Sequence, residues 1–181
     1  MTNTHNLQRN VWIGILCSQG IILGVVEQMF PALIAVLPGA KIGLTNVITL
    51  MALFTLPFSD CILLTFLRLI LTSLITGGAA TFIYSFAGAF LSLFMMKLAS
   101  KMSPRVFSIL GVSMIGGITH NFGQILVAYW ISGAKSVLLY LPFLALSGLL
   151  AGLLVGLGGK VLLSHLNDSE FIKDHQISFE R

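Results

Sequence analysis

Residues 137–159 read VLLYLPFLALSGLLAGLLVGLGG, and no side chain between Lys135 and Lys160 is charged. A block of about 18 or more residues of this kind is long enough to span the hydrocarbon core of a bilayer. Similar blocks recur along the chain. Hydrophobic residues make up 56% of it and charged residues only 9%, whereas a soluble domain carries about 25% charged residues. Too few charges remain to build the polar shell of a water-soluble fold. The sequence therefore predicts an all-α, polytopic integral membrane protein of the cell membrane.

Six transmembrane helices are expected, at about 11–30, 43–56, 61–76, 79–96, 106–131 and 137–163. Residues 1–10 form a polar N-terminus and 164–181 a mixed-charge tail. The stretch from Val11 to Phe30 is too long for the apolar region of a cleaved signal peptide. Pro57, Ser59 and Asp60 mark a tight turn, and Gly77-Gly78 breaks the third span from the fourth. An even number of spans puts both termini on one side. That side holds Arg9, Lys97, Lys101, Arg105, Lys160, Lys173 and Arg181, against Lys41 and Lys135 on the other. Lysine and arginine favour the cytoplasmic side, so both termini are expected in the cytoplasm. The net charge of +4 is thus explained by topology, and no nucleic acid is expected as a partner.

The connection over residues 31–42 is longer and more apolar than a simple turn, and Pro31 and Pro38 argue against a continuous helix. It reads either as a lid folded over a cavity or as an interfacial segment. Gly14 with Ser18, and Gly20 with Gly24, lie four apart, as do Gly148, Gly152 and Gly156. Such faces let helices approach closely, within this subunit or against a partner membrane protein. Cys17 and Cys61 lie in apolar segments without metal or disulfide spacing and read as buried thiols.

Polar groups inside the spans carry the functional signal. An ionisable residue at mid-bilayer costs at least about 2.5 kcal/mol on insertion scales. Arg68 lies mid-way along the third span and cannot shed its charge. It requires a carboxylate, an anionic ligand or a wet cavity. Glu27, near the end of the first span, is one candidate ion-pair partner; a substrate clamp is the other reading. His120 and Gln124 are four apart and share a helix face, and Asn121 is three before Gln124. The three together suggest a polar pocket. Tyr84 and Ser85 precede Gly88 by one turn, and Asn46 opens the second span.

Taken together, Pro38-Gly39-Ala40-Lys41-Ile42-Gly43-Leu44-Thr45-Asn46, Arg68, Tyr84-Ser85-x-x-Gly88 and His120-Asn121-x-Gly123-Gln124 resemble the Gx transporter family. Its members are also labelled heptaprenyl diphosphate synthase component I, and the family is similar to the substrate-binding S components of energy-coupling factor (ECF) transporters. The resemblance runs from about Val11 to Leu163. It implies a six-helix S component with a pocket open to the outside and residues 31–42 as its lid. The implied partners are an ECF transmembrane coupling subunit and two cytoplasmic ATPases. Lys41, Asn46, Arg68, Tyr84, His120, Asn121 and Gln124 would bind a small anionic or amphipathic nutrient, such as a vitamin, a flavin or an isoprenoid or quinone precursor. Gly14, Ser18, Gly20 and Gly24 would be the docking face, in place of the alanine-rich face of other S components.

The synthase label meets a chemical objection. Diphosphate chemistry of this kind uses clustered aspartates to hold magnesium, whereas Asp60 stands alone and Asp168 and Asp174 lie in the tail. No catalysis, metal or cofactor is expected. A P-loop is absent, so any ATP would be hydrolysed by another chain. Two other classes stay open. A redox or ion-translocating subunit would use Arg68, Glu27 and His120 as a relay, but there is no haem or iron–sulfur ligand set. A scaffold for a biosynthetic enzyme would have a dry, fully paired polar cluster.

Overall fold

The computed structural model describes residues 2–29, 43–76, 78–103 and 106–166. The connection over 31–42 with Lys41, the Gly77 half of the glycine break, Arg105 and the tail from residue 167 lie outside the described residues. The described chain is helical: α1 (Thr2–Met29), α2 (Asn46–Thr55), α3 (Phe58–Thr76), α4 (Ala79–Lys101), α5 (Ile109–Ser132), a 3-10 helix (Lys135–Tyr140) and α6 (Leu141–Leu166).

Side-chain bonds at the helix ends fix the directions. Arg9 Nε lies 3.3 Å from Asp60 Oδ2 at one end, and Gln28 Nε2 donates to Thr76 Oγ1 at 2.9 Å at the other. Helices α1 and α3 therefore run parallel. Trp12 Nε1 donates to Thr55 Oγ1 at 3.0 Å, while Glu27 Oε1 accepts from the backbone N–H of Gly43 and Leu44. That sets α2 antiparallel to α1. Gly88 lies against His120 and Gly116 against Met96, so α4 and α5 are antiparallel. Gly148 meets Gly117 and Gly156 meets Leu110, so α5 and α6 are antiparallel too.

Helices α5 and α6 approach backbone to backbone. A Cβ on Gly117 would stand 2.0 Å from the Gly148 carbonyl oxygen, and one on Gly148 would stand 2.5 Å from that of Gly117. Gly152 continues the seam against Ser113 and Met114. The glycines of α6 thus pack inside this subunit. Leu16, Leu50, Leu53, Leu64, Leu93, Met96 and Val112 fill the main core, and Ile125, Ala128 and Leu144 form a smaller one.

The outer surface is apolar. Leu74, Trp130, Phe143 and Leu154 are each more than two-thirds exposed. Four stretches are long and apolar enough to cross a membrane: Asn6–Met29, Phe58–Thr76, Ala79–Lys101 and Lys135–His165. The chain is a multi-pass membrane protein. Helix α2 has ten residues, about 15 Å at 1.5 Å per residue, half the hydrocarbon thickness. Helix α5 has 24 residues, but Ser113, Thr119, His120, Asn121 and Gln124 dilute its apolar character.

Helix boundaries depart from the expected spans where local signals are weak. Helix α1 begins at Thr2, because nothing in residues 2–10 breaks a helix. Helix α4 continues to Lys101, beyond the expected end at 96. Helix α5 starts later than 106, where Ser108 Oγ accepts from Gly111 N–H at 3.3 Å, and Gly133 closes it at φ 65°. The last expected span divides into the 3-10 helix and α6, which opens Leu141-Pro142. Proline costs nothing in a first turn, where its missing N–H has no partner.

Candidate functional site

The local sequence of α3 places Arg68. Cys61, Leu64, Thr65, Arg68 and Thr72 are all buried and recur at three- and four-residue spacing, so they form one stripe. That stripe faces α1. Gly20 makes room for the arginine stem: a Cβ there would stand 2.3 Å from Arg68 Cδ. One turn on, a Cβ at Gly24 would meet Thr72 Cγ2 at 3.0 Å.

Arg68 opens onto a cleft between α1, α3, α4, α5 and the start of α2. Its lining includes Gln28, Thr45, Arg68, Thr72, Ser73, Thr81, Ser85 and His120, with Leu69, Phe82 and Ala89 as apolar wall. The empty space, open mouth included, is about 390 Å³. Arg68 is 3% exposed, and its Nε and Nη2 have no hydrogen-bond partner among the described residues. Thr72 Oγ1 and Ser85 Oγ are likewise buried without partners. Buried polar groups are almost always paired, and each unpaired one costs about 1–3 kcal/mol. A guanidinium and two hydroxyls left open at one cleft therefore point to a polar occupant.

His120 reaches the same cleft from α5. Its Nε2 lies 3.1 Å from Gln124 Nε2, one turn along the helix. Gly88 allows this: a Cβ there would stand 2.8 Å from the His120 carbonyl oxygen and 3.2 Å from Gln124 Cγ. Gly43 sits at φ +90°, and a Cβ on it would meet Asn46 Nδ2 at 3.2 Å and His120 Cδ2 at 3.8 Å. Buried Asn46 thus neighbours His120, and its Oδ1 is unpaired.

Glu27 is 4% exposed. No Glu27–Arg68 pair lies within 4.0 Å among the described residues; the one salt bridge found there is Arg9–Asp60. The two buried charges act on each other at longer range. The carboxylate holds the turn that opens α2 through two backbone N–H groups. Glu27→Ala is expected to strand both donors and destabilise the protein by about 2–4 kcal/mol. Glu27→Gln, which keeps an acceptor oxygen, should lose less. Thermal unfolding in detergent checks this; an Ala variant as stable as the wild type would mean the carboxylate does not anchor the turn.

The other expected site residues divide. Asn121 faces α6, not the cleft: its Nδ2 donates to the Leu144 carbonyl at 2.8 Å and to Ser147 Oγ at 3.2 Å. Tyr84 packs against the small core of Ile125, Ala128 and Leu144 and is not in the cleft wall. Lys41 lies outside the described residues. Gly14 and Ser18 are on the exposed side of α1, whereas Gly20 and Gly24 are buried against α3, so the four do not share a face. Asn121→Ala should cost about 1–2 kcal/mol of stability, read by thermal unfolding in detergent; an Ala variant as stable as the wild type would mean that its bonds to α6 do not hold the two helices together.

Gln28, Thr45, Thr72, Ser73 and Thr81 escaped the sequence reading. A signal existed for one of them: Thr72 is one helical turn beyond Arg68. Hydroxyl residues are common in membrane helices, and nothing in their spacing separated Thr45, Thr72 and Thr81 from ordinary backbone-bonded ones such as Ser73 and Thr76.

A family model, heptaprenyl diphosphate synthase component I, matches residues 16–162. That range covers most of the chain, which belongs to this family. No curated protein and no solved structure matches it.

Proposed function

We propose that this member of the heptaprenyl diphosphate synthase component I family captures a small solute at the outer face of the cell membrane, as the substrate-binding S component of an ECF-type importer. The observation that carries the reading is Arg68, whose Nε and Nη2 have no partner among the described residues, buried in a cleft with Thr72 and Ser85 hydroxyls that likewise have none. A scaffold has no use for open donors at a cleft. In this reading the chain crosses the membrane six times, with both termini cytoplasmic. Arg9 pairs with Asp60 and Lys97 lies 5.6 Å from the Phe58 ring, both at the start of α3. The cleft lies toward the other end, beside Gln28, Thr72 and Ser73. The preference of basic residues for the cytoplasm then turns the cleft outward.

Arg68 binds the acidic group of the solute, which is anionic or amphipathic: a vitamin, a flavin, or an isoprenoid or quinone precursor. His120, held by Gln124, and Asn46 orient the rest, and Lys41 attracts it at the mouth. The chain is not itself an enzyme. Its partners are a transmembrane coupling subunit and two cytoplasmic ATPases, and the exposed Gly14 and Ser18 belong to the docking face.

The family name supports a second reading, a membrane-embedded partner of another synthase component. Co-expression separates the two. Import predicts a stable complex with an ECF coupling subunit and its ATPases, and ATP-dependent solute accumulation in reconstituted vesicles. A complex formed only with a prenyl diphosphate synthase subunit, without accumulation, would favour the synthase partner and sink the import reading.

A further inference from the structure

We infer that the cleft recognises one singly charged carboxylate on a small, partly apolar solute, and that it rejects diphosphates. This rests on the solute-capture reading and narrows it.

The two unpaired nitrogens of Arg68 are Nε and Nη2. They form one edge of the guanidinium plane, with parallel N–H bonds. That edge matches two oxygens of a single planar anion in a bidentate pair. Thr72 and Ser85, with unpaired hydroxyls on the same cleft, can donate to the outward lone pairs of those oxygens.

Among the described residues Arg68 is the one formally charged side chain in the cleft wall, and buried Glu27 already offsets part of its field. A carboxylate leaves the region close to balanced. A diphosphate would bring more negative charge than the one cation of the described wall can balance, and burying unpaired charge is costly. Metal could neutralise it, but no group of three or more His, Cys, Asp or Glu able to hold an ion exists among the described residues.

Leu69, Phe82 and Ala89 give the cleft apolar wall for a hydrocarbon body.

The test is thermal unfolding of the full chain in detergent with sodium butyrate, dimethyl phosphate or sodium pyrophosphate, the last with and without Mg²⁺. Sodium chloride at matched ionic strength is the reference. Butyrate should raise Tm, with a response lost in Arg68→Gln and about tenfold weaker in Ser85→Ala. Pyrophosphate should match the salt reference. The Ser85 variant keeps the test decisive if Arg68→Gln does not fold. A larger response to dimethyl phosphate would assign the site to phosphodiester headgroups and overturn the carboxylate. A larger response to pyrophosphate, in a protein that still retains a native solute, would overturn the charge argument and leave solute capture standing. No response to any anion, with no retained solute, would overturn both.

Discussion

Arg68→Met is expected to abolish solute binding while the protein still inserts and folds. Methionine follows the arginine stem along the space left by Gly20, where a Cβ would come within 2.3 Å of Cδ, so packing against α1 is largely kept. The substitution removes a buried charge whose insertion costs at least about 2.5 kcal/mol. It also removes the longer-range attraction to Glu27. The two terms oppose each other. Removing one of two interacting buried charges leaves the other uncompensated, but no Glu27–Arg68 contact within 4.0 Å is lost among the described residues, so Tm should fall while the protein stays folded. Binding has no such compensation. Loss of a bidentate charged pair should weaken affinity by about 100-fold or more. Arg68→Lys keeps the charge but not the two-nitrogen edge, and should fall between. Isothermal titration with the retained solute reads both. Undiminished affinity in Arg68→Met would remove the clamp.

Gly117→Val should have the largest effect on the fold. At this position the obstruction is backbone: the Gly148 carbonyl carbon at 2.9 Å and its oxygen at 2.0 Å. No rotamer can yield. Helices α5 and α6 would have to part along a seam that also includes Gly152 and Gly156. Ordinary overpacking costs about 1–3 kcal/mol, and the loss here should exceed that range. The expected readout is disappearance of the monodisperse peak in size-exclusion chromatography. Gly14→Val, at a site with nothing within 4 Å, should keep it. Recovery of folded Gly117→Val would show that the two helices have room to separate.

The membrane class and the helical elements were legible because they rest on composition and on long apolar runs such as 137–159. Their edges were less so. An apolar run conceals a 3-10 turn at 135–140, since Pro142 breaks no hydrogen bond in a first turn. Arg68 and His120 were legible as cleft residues because burying their chemistry needs a reason. Asn121 was misplaced by its neighbours. Three residues from Gln124, it shares part of that face, yet its amide is turned to α6 by the Leu144 carbonyl, which no spacing reveals. Gly20 and Gly24 read as a docking stripe because small residues look alike. Only the partner side chains, Arg68 and Thr72, show that these two are inner spacers while Gly14 and Ser18 stay outside. The hydroxyls of Thr72 and Ser85 acquire meaning only when α3 and α4 bring them to one cleft.

Native mass spectrometry of the detergent-purified chain tests solute capture most directly. Solute capture predicts a stoichiometric small-molecule adduct on the wild type that is absent from Arg68→Met. Two results would contradict it: a wild-type chain that carries no adduct even when purified with an ECF coupling subunit, or an adduct held equally by the Arg68→Met variant.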